Sequence, residues 1–145
     1  MVIRILLLTL LNTLATWSAY ADNSTAALTP FSIDYRSEYK VGWFSFDIDA
    51  NRTLTQVDGN HWRLAFDAEA SIATLREYSD FMLVNDQITP ANYSYRSTGL
   101  IDEKDRTLHF IPDQKIVEDR ESGKTIIDQW QDGIQDNLTF MLQAS

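Results

Sequence analysis

Three runs of alternating residues predict a mainly β fold, a curved antiparallel sheet or partial barrel with a short C-terminal helix. In the first run, Phe31, Ile33 and Tyr35 alternate with Ser32, Asp34 and Arg36, and Tyr39 extends the apolar face. In the second, Phe44, Phe46 and Ile48 alternate with Ser45, Asp47 and Asp49, and Leu54 follows. In the third, Trp62, Leu64, Phe66 and Ala68 alternate with Arg63, Ala65, Asp67 and Glu69. Successive side chains on a strand point to opposite faces, so a period of two marks a strand with one buried face. Asp58-Gly59-Asn60 separates the second and third runs, and that composition suits the left-handed backbone of a hairpin turn.

The rest of the chain continues the pattern. Within Ile72–Val84, the first half suits a helical turn and the second half a strand running into Asn85-Asp86-Gln87. Pro90 cannot donate to a ladder, so the strand holding Tyr93-Ser94-Tyr95-Arg96 is expected to start after it. Leu108-His109-Phe110 and Lys115-Ile116-Val117 flank the turn pair Pro112-Asp113, and Glu121-Ser122-Gly123-Lys124 turns into Thr125-Ile126-Ile127. Strands at such close spacing, with turns between them, predict a curved antiparallel sheet or partial barrel. Asp136 is placed to cap a helix over Asn137–Leu142, with Leu138, Met141 and Leu142 on one face.

The first 21 residues read as a secretory signal peptide. Arg4 supplies the positive start, Ile5–Leu11 an apolar stretch, and Ala19-Tyr20-Ala21 the small-residue cleavage signal before Asp22. Asn12, Thr13, Thr16 and Ser18 interrupt the apolar run short of the roughly 20 residues that a membrane span needs. The expected organisation is a signal peptide over 1–21, a flexible leader over 22–30, and one β-rich domain over 31–145. The expected location is periplasmic or secreted. A lipoprotein needs a Cys at the cleavage site for acylation, and that position is Asp22, so no membrane anchor is expected after cleavage.

Arg4 is the one charged residue of the expected signal peptide, so its cleavage moves the formal net charge from −9 to −10. An acidic surface disfavours nucleic acid, whose binding rests on Lys and Arg at phosphates, and it disfavours anionic lipid head groups. The chain has no cysteine, which excludes disulfides, thiolate zinc sites and thiol redox chemistry. Core burial must hold the domain, and an aromatic content of 12% supplies material for it. Sequons stand at Asn23, Asn51, Asn92 and Asn137 and matter only in a eukaryotic secretory route.

The order of several short elements resembles the exported bacterial DUF3108 family. They are Phe31-Ser-Ile-Asp-Tyr35, Val41-Gly42, Arg52-Thr-Leu54, Trp62-Arg-Leu64, Tyr78-Ser-Asp-Phe81, Ile88-Thr-Pro-Ala-Asn-Tyr-Ser-Tyr95, Leu108-His-Phe110 and Asp136-Asn-Leu138. The Pro-x-x-Tyr-x-Tyr and Asp-x-Leu elements are the most specific. The resemblance implies a periplasmic β-rich protein of unknown function and brings no catalytic residues. It also implies that the chain is the N-terminal part of a longer protein, incomplete at its C-terminus, because members continue past the helix at Asp136.

Several constellations bear on chemistry. Asp47, Asp49 and Asn51 have the spacing that opens a calcium loop, but Arg52 and Asp58 stand where Gly and Glu are required. His61 and His109 have no close second ligand. Ser79-Asp80 is a dipeptide with no placed base, and no nucleophile elbow, P-loop or dinucleotide fingerprint occurs. Asp102, Glu103 and Asp105, interleaved with Lys104 and Arg106, read as a solvated turn. The aromatics remain. Trp43, Phe46, Trp62, Phe66, Tyr93 and Tyr95 are the candidate ligand-binding residues, on a face that Phe44, Phe81 and Phe110 would share. Such a face can hold an acyl chain, or the same residues can be packed core. The expectation is a non-enzymatic exported protein, with no cofactor or metal, that binds an apolar ligand or envelope component. The alternatives are a structural or protein-interaction domain, and a hydrolase with an unrecognised site.

Overall fold

The computed structural model describes residues 28–126 and 130–143. Eight strands lie in chain order across one antiparallel sheet. They are β1 (Phe31–Val41), β2 (Phe44–Asp58), β3 (His61–Ala70), β4 (Ala73–Val84), β5 (Gln87–Gly99), β6 (Arg106–Ile111), β7 (Ile116–Asp119) and β8 (Lys124–Ile126). A single helical turn, Pro112–Gln114, links β6 to β7, and helix α1 (Asn137–Gln143) follows the sheet. The sheet is not closed, so β1 and β8 are its edges. The expected signal peptide and its cleavage residues Ala19, Ala21 and Asp22 lie outside the described residues.

Register follows the alternation. Leu54 faces Leu64, Leu64 faces Ser79, Ser79 faces Tyr93, and Tyr93 faces Leu108. Paired residues share a face, so this row and its neighbours two residues away form the inner face. Leu54, Trp62, Leu64, Phe81, Tyr93, Phe110 and Val117 gather there with Leu138 of α1 into one buried cluster. Full burial of each such side chain contributes about 1.5–3 kcal/mol. Leu28, inside the leader expected to be flexible, packs against the same cluster.

Two boundaries differ from the sequence expectation. The whole of Ala73–Val84 is strand, with no helical turn in its first half. Its inner positions include Glu77 and Ser79, polar residues that hide the period of two. Pro90 lies inside β5 and does not precede it. The ladder skips Ala91 there, since Asp80 faces Asn92 while Phe81 faces Pro90. A proline is tolerated at such a bulge because the ladder bond is already interrupted.

Left-handed backbone shapes both ends of β5. Asn85 and Asp86 both have positive φ, 50° and 60°, which gives the β4–β5 hairpin the primed turn that matches strand twist. Gly99 has φ 76°, and a Cβ there would lie 2.0 Å from the Ile72 carbonyl oxygen. The next residue, Leu100, donates its backbone N–H to that same oxygen at 3.1 Å. Gly99 therefore sets where Leu100 sits.

Candidate functional site

Helix α1 touches β3, β4 and β5 and covers one end of the inner face. Its start is built from three residues. Asp136 Oδ1 accepts the backbone N–H of Leu138 and of Thr139, both at 2.9 Å, and the Asp136 N–H donates back to Thr139 Oγ1 at 3.0 Å. This reciprocal cap satisfies donors that a helix start leaves free. Ser79 Oγ donates to Asp136 Oδ2 at 2.6 Å and fastens the cap to β4. Burial pushes the Asp136 carboxyl above its ordinary range, and the hydrogen bonds from Ser79, Thr139 and Leu138 hold it partly down.

A polar row borders the covered end. Across the strands Arg52 faces Phe66, Phe66 faces Glu77, and Glu77 faces Tyr95. Tyr93 donates its hydroxyl to Glu77 and accepts from Asn137 Nδ2 at 3.2 Å. Burial, then the bond to Glu77, pushes the Tyr93 phenol well above its ordinary value. The Arg52 guanidinium lies 5.5 Å from the Phe66 ring centre.

Beyond that row the inner face is apolar again and uncovered. Ile48 faces Ala70 and Ala70 faces Ala73, while Ala50 faces Ala68 and Ala68 faces Leu75. The alanines Ala68, Ala70 and Ala73 form a floor. Phe46, Ile48, Ile72, Leu75, Leu100 and Ile101 wall a hollow of about 310 Å³ over it, with Glu69 as its charged residue. Leu100 is 76% exposed. Small floor residues beneath large apolar walls are the composition of a site for an apolar body.

The six aromatic candidates divide. Trp62 and Tyr93 are buried core, and Phe66 and Tyr95 pack against that core. Phe46 walls the uncovered hollow. Trp43, 86% exposed, sits in the β1–β2 turn with its ring 3.7 Å from that of Phe44. The aliphatic walls Ile48, Ile72, Leu75, Leu100 and Ile101 are not among the candidates. The signal that could have found them is Leu100-Ile101, an apolar pair standing beside a glycine in an otherwise charged loop.

The opposite face carries charge. A hollow of about 540 Å³ lies between Asp34, Arg36, Asp49, Asn51, Asp67 and Arg76. Its cations are matched internally, Arg36 to Asp49 at 2.6 Å and Arg76 to Asp67 at 3.8 Å. The bond to Arg36 lowers the pKa of Asp49. Arg63 binds both oxygens of Asp80, at 2.6 and 2.8 Å. His61 Nε2 stands 4.0 Å from Asp80, and His109 Nδ1 stands 2.7 Å from Asn92 Oδ1. Ser79 is fully buried, and the structure gives it the Asp136 bond as its role. Asp105 accepts the Ser97 N–H at 3.3 Å and lies 3.6 Å from Arg96. Among the described residues no group of three or more His, Asp or Glu could hold a metal ion, and no helix is long and apolar enough to cross a membrane. Comparison with protein families, curated proteins and solved structures finds no match.

Proposed function

We propose that this is an exported, non-enzymatic protein that holds an acyl chain or similar apolar group of an envelope component on the uncovered end of its inner face. One observation carries the reading: the hollow over Ala68, Ala70 and Ala73, walled by Phe46, Ile48, Ile72, Leu75, Leu100 and Ile101. Exposed apolar surface that is contiguous and rimmed by polar residues marks an interaction site more often than scattered apolar residues do. Here the polar rim is the Arg52–Glu77 row. The signal-peptide pattern over 1–21 supports delivery to the envelope, and the resemblance to DUF3108 fits the same location.

Native mass spectrometry of the protein recovered from its export compartment tests this. The expected result is a population carrying one added lipid-sized mass. A bare chain that also takes up no fatty acid on incubation contradicts the reading. A second reading, a protein-interaction domain, is favoured by the open edge of β1.

A further inference from the structure

Edge strand β1 carries a sequence that is complementary to itself about Ser37. On its outer face the order is Asp34, Arg36, Glu38, Lys40, four charges alternating in sign. On its inner face Tyr35 and Tyr39 stand symmetrically about Ser37. Among the described residues β1 pairs with β2 alone, and residues 32–40 are all exposed. Tyr35 is 44% exposed and Tyr39 55%.

A second copy laid antiparallel along β1 keeps the two faces matched only in registers that differ by two residues. With Ser37 opposite Ser37, Arg36 meets Glu38, Asp34 meets Lys40, and Tyr35 meets Tyr39. Centring on Arg36 instead sets Asp34 against Glu38 and Arg36 against itself. Centring on Glu38 sets Arg36 against Lys40 and Glu38 against itself. Charge therefore favours the Ser37 register over its neighbours. Within the chain, Glu38 lies opposite Asp47, and like charges directly opposite are unfavourable. In the Ser37 register, Arg36 of the second copy, which keeps Asp49 of its own chain at 2.6 Å, comes to the other side of Glu38, which lies 3.2 Å from Lys40, so the charges extend as one row of alternating sign. Edges are commonly blunted by charges, often lysines, or by proline. Alternating signs leave this edge open to one partner in one register.

We propose that β1 pairs with β1 of a second copy of this chain, antiparallel and centred on Ser37. The product is a two-fold dimer in which two eight-stranded sheets become one continuous sheet. Pairing consumes the edge, so β1 cannot template further growth.

Sedimentation of the full chain over a range of concentrations tests the dimer without reference to any ligand. Wild type is expected to dimerise. Glu38→Arg sets a cation opposite Asp47 of its own strand pair in place of the 3.2 Å contact between Glu38 and Lys40, and it repels Arg36 of the second copy. Its dimer dissociation constant is expected to rise roughly tenfold or more. Arg36→Glu alone behaves likewise, and an equimolar mixture of the two variants regains dimer because each supplies what the other lacks. The chain has no cysteine, so Ser37→Cys gives a single thiol whose twin lies about 5 Å away between α-carbons, within disulfide reach. Mild oxidation is expected to crosslink Ser37→Cys and not Ser32→Cys. A wild type that stays monomeric overturns the proposal. So does a dimer whose dissociation constant Glu38→Arg leaves unmoved, or a Ser37→Cys chain that does not crosslink.

Discussion

Ser79 Oγ donates a 2.6 Å hydrogen bond to Asp136 Oδ2, and both residues are buried. Residues 57 positions apart are thereby joined, and the bond decides which end of the inner face is covered. Asp136 starts α1, α1 touches β3, β4 and β5 and adds Leu138 to the cluster of Leu64, Phe81 and Tyr93, and the far end stays bare. The covered and open halves follow from where one carboxylate is held.

The pH dependence of stability reads that bond directly. Burial holds Asp136 above its ordinary value of 3.8, so its contribution is full below that value and is lost as pH rises through the raised one. Asp136→Asn keeps an acceptor for the helix cap and removes the ionisation. Its stability relative to wild type is expected to improve as pH rises above 3.8. Ser79→Ala removes a bond that lowers the pKa, so its cost of about 1–3 kcal/mol is expected to be larger at neutral pH than in acid. Urea unfolding across pH checks both.

The aromatic candidates separate by stability. Trp62→Ala opens a cavity in the core and is expected to cost about 3–5 kcal/mol, since Trp62 is 5% exposed. Trp43→Ala removes a ring stacked in solvent on Phe44 and is expected to stay within about 0.5 kcal/mol of wild type. Chemical denaturation of the two variants side by side is the check.

Alternation made β1, β2 and β3 legible, because their inner residues Phe31, Leu54, Leu64 and Phe66 are apolar and their outer residues charged. It failed at β4, where the inner positions Glu77 and Ser79 are polar and owe their burial to partners far along the chain, Tyr93 and Asp136. Pro90 misled for a related reason, since only the register shows the bulge that excuses it. The cap at Asp136 was readable because its partners Leu138 and Thr139 are local. The site was half legible. Large aromatics drew attention to residues that α1 covers, and the uncovered walls are mostly aliphatic.

Gly99 links backbone to site. Gly99→Ala places a Cβ 2.0 Å from the Ile72 oxygen at a φ that L-residues avoid, with an expected cost of at least about 1–3 kcal/mol. Any folded fraction should have Leu100 displaced from the hollow. Thermal unfolding reads the first effect, and loss of hydrogen-exchange protection at the Leu100 N–H reads the second.

Export is checked by N-terminal sequencing of the folded cellular protein. The expected first residue is Asp22. An intact Met1 contradicts cleavage.

Ligand binding by the open end of the inner face is tested most directly by titration with the fluorescent apolar probe anilinonaphthalene sulfonate, displaced by dodecanoate. Saturable binding is expected in wild type. Leu100→Glu, in the wall of the hollow, is expected to weaken it roughly tenfold. Phe140→Glu, on the solvent side of α1 at 65% exposure, should leave it unchanged. A folded wild type with no saturable binding, or equal losses in the two variants, contradicts a ligand site over Ala68, Ala70 and Ala73.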